Sequence, residues 1–553
     1  MIKARNQYLQ KMFNLISFIF LFVRYRNRKD PFRIFKKISN ANILIDKINK
    51  TLILVPFRVS PLSNLFEGLI GYYFKLKGYN VKAILCNQSV HYCENITYRD
   101  EKKRLAICAL CLKEQKRFCS SFNIEPLNLN DYISNIEQKE INSFINNIDV
   151  LKEDAFQFRK VNFKKNVVSG VTRYTLKSDI DYLVDASILK GYLKTALLSH
   201  IAAENIFNKN KPDLLIMSHG IYSTWGSILN ASRISKIPSY VWARGYVGQG
   251  DLMFGQNSSY LEDLILENKD IYQAFNYSSE DIENTKSYFK AKRNIDSKVE
   301  YVNYYSTVKK ESYTLESFLK ENRIIKQNKV FGMFTNIPWD GQIFNQTPGI
   351  PDTKFYVRTV VSWFEKNPDC NLIIRAHPAE TDDEEGNGSE KFIDILNRLY
   401  PKLPDNVFFI PADSPITSYQ LSEIIDAAVI YGSSIGLELA IAGIPVIQAG
   451  NFNTSLKGFV FEAADSSQLA DYLNQCKNGL LKMTEDQIMN SIKFGNYWIY
   501  KRHIPDSTVI LDRLIFQNFN FNSINEFINN DTLEFIYNKM ETNSKIINFP
   551  NLI

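Results

Sequence analysis

The chain is predicted to be an α/β protein built from two successive sheet domains, and three observations predict it. Apolar runs of strand length alternate with helix-length segments, as at residues 51–56, 69–76 and 81–85. Residues 427–450, AAVIYGSSIGLELAIAGIPVIQAG, write a strand, a helix and a second strand in one line. At 553 residues, 45% hydrophobic and 23% charged, the chain is too long for one core and has the composition of a folded protein of two or three domains.

Along the chain, residues 1–45 form a basic and apolar N-terminal segment. Its apolar run at 13–23 is too short for a bilayer, which takes roughly twenty residues, and is flanked by Lys3, Arg5, Lys11, Arg24, Arg26, Arg28 and Lys29. No small-residue cleavage site follows, which speaks against a secretion signal. Two readings stand: a helix lying in the headgroup layer of an anionic membrane, or one packed on the protein's own core. Residues 46–310 are read as the first α/β domain, with strands at 51–56, 81–85, 213–217 and 239–242 and a Cys-rich insertion at 86–119. Its later strands run into Ser218, His219 and Gly220, and into Arg244 and Gly245. The polar stretch 279–329 reads as connecting helices. Residues 326–515 are the second α/β domain, opened by a strand at 330–335 whose loop carries Asn336, Trp339 and Asp340. Residues 516–553 are an Asn-rich, helical tail. No repeat of solenoid period occurs.

The chemistry concentrates in the second domain. In 427–450 the strand stops at Gly432, Ser433 and Ser434 start the helix, and Gly443 ends it. Two hydroxyls and the small Gly436 at such a turn offer donors to a phosphate. Glu438 follows one helical turn after Ser434, placed to accept from sugar hydroxyls of a nucleotide. Upstream, a buried strand at 371–374 delivers Arg375, Ala376, His377 and Pro378 to its carboxyl end, where open α/β sheets bind ligands. Arginine and histidine there can neutralise a phosphate leaving group; alternatively His377 only orders its loop.

The pair RAHPAE (375–380) and YGSSIGLE (431–438), closed by GIPV (443–446), resembles the donor half of the capsule polysaccharide biosynthesis glycosyltransferases. These have the GT-B plan and are related to bacterial sialyltransferases and Kdo transferases, which carry similar His-Pro and Ser-Ser motifs. The resemblance covers about the C-terminal third. It implies two Rossmann-like domains facing a cleft, with His377, Ser433 and Ser434 on the donor nucleotide and Glu438 near it. Read from the residues themselves, Arg375 and Gly436 belong to the same donor site, His377 assists departure of the phosphate, and Asp340 either lines the donor cleft or caps its loop.

An inverting transferase needs a base for the acceptor hydroxyl, expected from the first domain. Glu67, in the loop or first helical turn after the first strand, and His219, at a strand end, are the alternatives; each also has a purely structural reading. Arg244 is a candidate for an anionic acceptor or for a salt bridge. Cys86, Cys93, Cys108, Cys111 and Cys119 cluster with His91. They read either as a structural zinc or iron–sulfur site or as buried free thiols. The spacing matches no known zinc module.

The expected activity is transfer of a sugar from a nucleotide-sugar donor to an oligosaccharide or lipid-linked acceptor of a growing capsular or other surface polysaccharide. Transfer itself requires no cofactor, and the expected location is cytoplasmic, peripheral on the inner face of the plasma membrane. The same phosphate site would serve a UDP-sugar 2-epimerase or a polyol-phosphate transferase, and a non-catalytic assembly or export factor is the alternative outside enzymes. A formal charge of +7, without a basic stripe or a recognisable module, argues against nucleic acid.

Overall fold

The computed structural model describes residues 29–39, 46–59, 61–152, 154–178, 180–245, 247–248, 250–294, 299–300, 313–324, 328–337, 339, 346–381, 390–512 and 514–550. The apolar run 13–23 and Asp340 lie outside the described residues. Among those described, no helix is long and apolar enough to cross a membrane.

The chain divides into two compact units. The first comprises Met1–Thr175, Ile180–Tyr260 and Arg502–Ile553; the second comprises Leu176–Asp179 and Leu261–Lys501.

The first unit holds a six-stranded sheet of β1 (Thr51–Val55), β2 (Asn80–Leu85), β3 (Glu125–Asn128), β4 (Leu214–Ser218), β5 (Ser239–Arg244) and β6 (Leu252–Gln256), in the order β3-β2-β1-β4-β5-β6. All neighbours are parallel except β5 and β6. The second unit repeats the order with β7 (Lys329–Phe334), β8 (Cys370–Arg375), β9 (Val407–Ile410), β10 (Ala427–Ile430), β11 (Val446–Gln448) and β12 (Phe461–Glu462), arranged β9-β8-β7-β10-β11-β12 and parallel throughout. Both are the strand order of doubly wound, Rossmann-like sheets, which reverses direction between the first and fourth strands. The central strands are buried on both faces, as parallel strands covered by helices must be. The two-domain α/β class expected from the sequence is therefore the observed one.

The units meet the sequence boundaries in some places and not in others. Residues 261–324 belong with the second unit, because the helix Ser279–Lys292 packs on the helix Glu485–Asn496: Asn496 donates to Asp281 O at 3.2 Å and to Thr285 Oγ1 at 3.1 Å. Residues 502–553, divided in the sequence reading between the second domain and a tail, belong with the first. Phe519, Phe521 and Phe527 pack around Phe35 with ring centroids 5.7–6.4 Å apart, and Leu533, Ile536 and Met540 join the same core. Charged contacts reinforce this seat: Lys77 reaches Glu534 at 2.7 Å and Lys50 reaches Glu541 at 2.7 Å. Periodicity identifies the tail as helical but does not identify which core it completes. A chain ending at residue 501 should expose the aromatic face around Phe35 and fail to give a folded first unit. Circular dichroism and size-exclusion chromatography of that truncation check this, and a monodisperse, native-like product would contradict it.

Candidate functional site

In the second unit the crevice at the strand reversal is bounded by the carboxyl ends of β7 and β10, with β8 on the other side of β7. Phe334 is in register with both Arg375 and Ile430, so the loops that follow leave the sheet at one level. Residues just past β7 tie them together. Thr335 Oγ1 accepts from the His377 backbone N–H at 2.9 Å, and the Asn336 amide donates to the Gly432 carbonyl. Trp339 is buried with Ile337 and Ala379 beneath the same loop. His377 and the Gly432–Ser433 turn are thus brought together by their neighbours as well as by strand order.

The His377 ring has a defined proton. Its Nδ1 accepts from the Ala379 N–H at 3.2 Å, so in the neutral ring Nε2 carries the hydrogen and is the donor. Burial, reinforced by the adjacent Arg375 charge, lowers its pKa from the ordinary 6.5 to about 4. Ser433 is half-buried and Ser434 exposed. Ser434 is the N-cap of the helix Ile435–Ile441 but makes no side-chain capping bond, so neither hydroxyl is engaged in holding that helix. The helix is only two turns long, and the donors offered here are individual hydroxyls and N–H groups more than a macrodipole.

Three neighbours have other duties. The Arg375 side chain is 1% exposed. It donates to the Pro411 carbonyl and, at 3.3 and 3.4 Å, to the carbonyls of Ala412 and Ser414. The sequence placed Arg375 on the donor; the structure has it fastening the loop after β9, because its guanidinium turns into the sheet edge. Gly436 is small for packing: a Cβ there would sit 2.7 Å from Ile430 Cδ1. Glu438 is buried in an ion pair, its Oε1 3.1 Å from Lys292 Nζ, which also lies 2.9 Å from Glu300. Burial pulls the lysine's pKa down, but the two carboxylates outweigh it and hold it raised. Glu438 Oε2 is buried and has no partner among the described residues, which leaves one oxygen able to accept from a ligand. No local pattern marks Lys292 as its partner, since the two are far apart in sequence.

In the first unit the corresponding crevice lies between β1 and β4. His219 follows β4 directly, with Arg58 three residues beyond β1. Arg58 Nη2 is 2.9 Å from His219 Nε2; since arginine only donates, Nε2 accepts and is not open to take a proton. Burial and the charges of Arg58 and Arg173 push the His219 pKa well down. As placed, His219 is a neutral ring already occupied at its basic nitrogen. Glu67 lies in the second turn of the helix Pro61–Leu76, not in the preceding loop, and is 1% exposed. Its Oε1 accepts from the Trp242 indole at 3.0 Å, and burial raises its pKa to about 8 in spite of that bond. It lies buried between the helix and the sheet. Arg244 takes the salt-bridge alternative, 2.9 Å from Asp506 Oδ2 and 2.8 Å from Gly250 O.

The cysteines separate. Cys108, Cys111 and Cys119 lie on the helix Arg104–Phe122, where Cys119 joins the core beside Phe118 and Phe122. Cys86, Cys93, Cys108 and Cys111 face a cavity of about 30 Å³ that Glu94 and Thr224 also line. Burial raises all five pKa values, those of Cys111 and Cys119 to about 12. Among the described residues no three His, Cys, Asp or Glu side chains are arranged to hold an ion.

No family model matches the chain, and no curated protein matches it. Solved structures are similar to it. The β-Kdo 2,4-transferase KpsC of Thermosulfurimonas dismutans aligns at 14% identity and a TM-score of 0.33, over 57% of this chain and 87% of that one. A glycosyltransferase from Rickettsia africae aligns at 12% identity and 0.27, over 90% and 100%. UDP-GlcNAc 2-epimerase from Neisseria meningitidis, bound to UDP-GlcNAc, aligns at 12% and 0.21, over 80% and 98%. Likeness at this level does not transfer an activity.

Two outcomes follow from these geometries. The folded His377 pKa lies below the unfolded one, so its contribution to stability is complete above pH 6.5 and declines as pH falls toward 4. A His377→Gln variant should therefore lose less stability than the parent over that interval, measured by urea melts at fixed pH; identical slopes would refute the neutral assignment. Removing Lys292 as Lys292→Met strands a buried carboxylate and should cost about 3 kcal/mol, while adding Glu438→Gln should recover much of that loss. A urea-denaturation double-mutant cycle reads the coupling, and strict additivity would deny it.

Proposed function

We propose that the protein is a glycosyltransferase that takes a sugar from a nucleotide-sugar donor and passes it to a growing surface polysaccharide. The observation that carries this reading is the second crevice. There a neutral histidine with its Nε2–H as donor, and two serines not engaged in capping, are held by Thr335 and Asn336 where a Rossmann-like sheet reverses. The resemblance of the two motifs to capsule polysaccharide transferases gives the same placement.

In this reading the His377 Nε2–H and the Ser433 and Ser434 hydroxyls bind the donor's phosphate oxygens. As the glycosidic bond to the phosphate breaks, charge accumulates on those oxygens, and fixed donors in a site of low polarity stabilise it more than water would. A neutral imidazole supplies a hydrogen bond without leaving a buried cation when the product departs. The unpartnered oxygen of Glu438 accepts from a hydroxyl of the nucleotide sugar, and the ion pair with Lys292 holds the carboxylate in place.

The test is a thermal-shift panel of CMP, CDP, UDP and GDP, followed by turnover with the sugar nucleotide of the base that binds. One nucleotide should raise the melting temperature by mass action. His377→Ala and Ser433→Ala should each abolish that shift and lower turnover by about a hundredfold or more. No shift with any nucleotide would refute the donor site. Release of a free epimerised sugar nucleotide, without transfer to acceptor, would assign the site to an epimerase instead.

A further inference from the structure

An inverting transferase needs a base for its acceptor, and the first unit holds a further carboxyl at the ligand-binding edge of its sheet. The turn between β5 and β6 stands at the carboxyl end of β5, beside β4, where the His219 N–H donates to the Trp242 carbonyl at 3.1 Å. Asp251 closes that turn. Its carbonyl accepts from the Gly245 N–H at 2.7 Å, its N–H donates to the Val247 carbonyl at 3.2 Å, and Leu252 after it is in register with Arg244. Gly248 has a positive φ of 61°, and a Cβ there would lie 3.1 Å from Asp251 Oδ1. The carboxyl is therefore folded back over the turn, into room that a glycine leaves.

Charged groups lie around this carboxyl without hydrogen bonding to it. Arg244 on β5 donates from Nη1 to the Gly250 carbonyl at 2.8 Å and from Nη2 to Asp506 Oδ2 at 2.9 Å. Its buried Nε–H has no acceptor among the described residues. Asp506 also accepts at Oδ1 from the Thr508 N–H at 3.1 Å, and His503 of the same segment packs against Gly245, the partner of Asp251 across the turn. The Asp251 side chain is half-buried and, among the described residues, takes no hydrogen bond. An unpaired donor and an unpaired carboxyl, neighbours across one turn, leave a place for a polar ligand.

Burial raises the Asp251 pKa to about 7, with the Asp506 charge adding to the shift and Arg244 opposing it. A base works best when its pKa lies near the working pH and its lone pairs are free. Glu67 is 1% exposed, and His219 already accepts from Arg58. Asp251 meets both conditions.

We propose that Asp251 is the base that takes the proton of the acceptor hydroxyl, with Arg244 and Asp506 as the pair that positions its turn. The assignment rests on the glycosyltransferase reading. As the acceptor oxygen bonds to the anomeric carbon of the donor sugar, its proton passes to an Asp251 carboxylate oxygen. The bond from that carbon to the phosphate oxygen breaks, and its electron pair leaves with the nucleotide.

The test lets water stand for the acceptor. Release of nucleotide from CMP-sialic acid, CMP-Kdo, UDP-GlcNAc, UDP-glucose and GDP-mannose by the full chain is followed by chromatography from about pH 5 to 9. For the sugar nucleotide that is hydrolysed, kcat should rise with pH and level off above an apparent pKa near 7, since only the ionised carboxylate accepts a proton. Asp251→Asn should lower kcat by about a hundredfold or more and remove that rise, while KM and the nucleotide shift of the second unit stay as they are. Should that variant misfold, Asp251→Glu decides: it keeps the carboxylate but moves it by one methylene, and the rise should persist at reduced kcat. Full turnover by a folded Asp251→Asn or Asp251→Glu variant, or a parent rate flat over the whole pH range, overturns the assignment and leaves the donor reading standing. A parent that binds no nucleotide and releases none from any of these sugars faults the glycosyltransferase reading, and the base falls with it.

Discussion

The reversal of strand order beside the first strand of each sheet is the constraint on which the rest depends. In both units the chain lays strands outward from β1 or β7 in one direction, then returns to build the other side. Right-handed crossovers cover opposite faces on the two sides of that point, so the carboxyl ends flanking it are left as a crevice. Whatever residues follow those strands then meet, regardless of their distance in sequence. Thr335 meets His377, and Asn336 meets Gly432, in the second unit for this reason, and Arg58 and His219 meet in the first. The chemistry of each loop is local, while its company is decided by topology.

Burial then sorts the charged residues that reach those ends. Arg375 and Arg244 stand directly at strand ends, and each donates to carbonyls or a carboxylate of a loop or of the C-terminal segment. A buried charge that is paired serves the fold, because breaking the pair costs several kcal/mol. Burial of Glu67 beside the Trp242 indole raises its pKa to about 8 and so favours its neutral form. Ser434 makes no capping bond from its side chain, and one oxygen of Glu438 has no partner among the described residues.

Much of the fold was legible because buried parallel strands are short apolar runs bounded by turn residues. Strands at 51–56, 330–335, 371–374 and 427–430 were read within one or two residues of their positions. Edge strands were not. Glu125–Asn128 contains a proline, and Phe461–Glu462 is two residues long, so neither carries a pattern. In the site, the His377 and Ser433 loops were legible as motifs, but Lys292, paired with Glu438 across a sequence gap that no spacing rule covers, was not. Arg58 had a faint signal, a basic residue just beyond a buried strand in VPFR, which becomes informative only once strand order places it against His219. The cysteines are neighbours in sequence but not all in space: the helix that carries three of them turns Cys119 into the core, while Cys86, Cys93, Cys108 and Cys111 share one cavity.

The two crevice histidines are a matched contrast. Each is neutral, for the same two physical reasons of burial and an adjacent arginine. His377 accepts at Nδ1 from a backbone N–H, so its outer nitrogen Nε2 donates; His219 accepts at Nε2 from a side chain, so its proton lies on Nδ1. A backbone donor is fixed with the loop, so it fixes the His377 tautomer with it. The donor to His219 is a side chain, so its tautomer depends on Arg58 keeping its place.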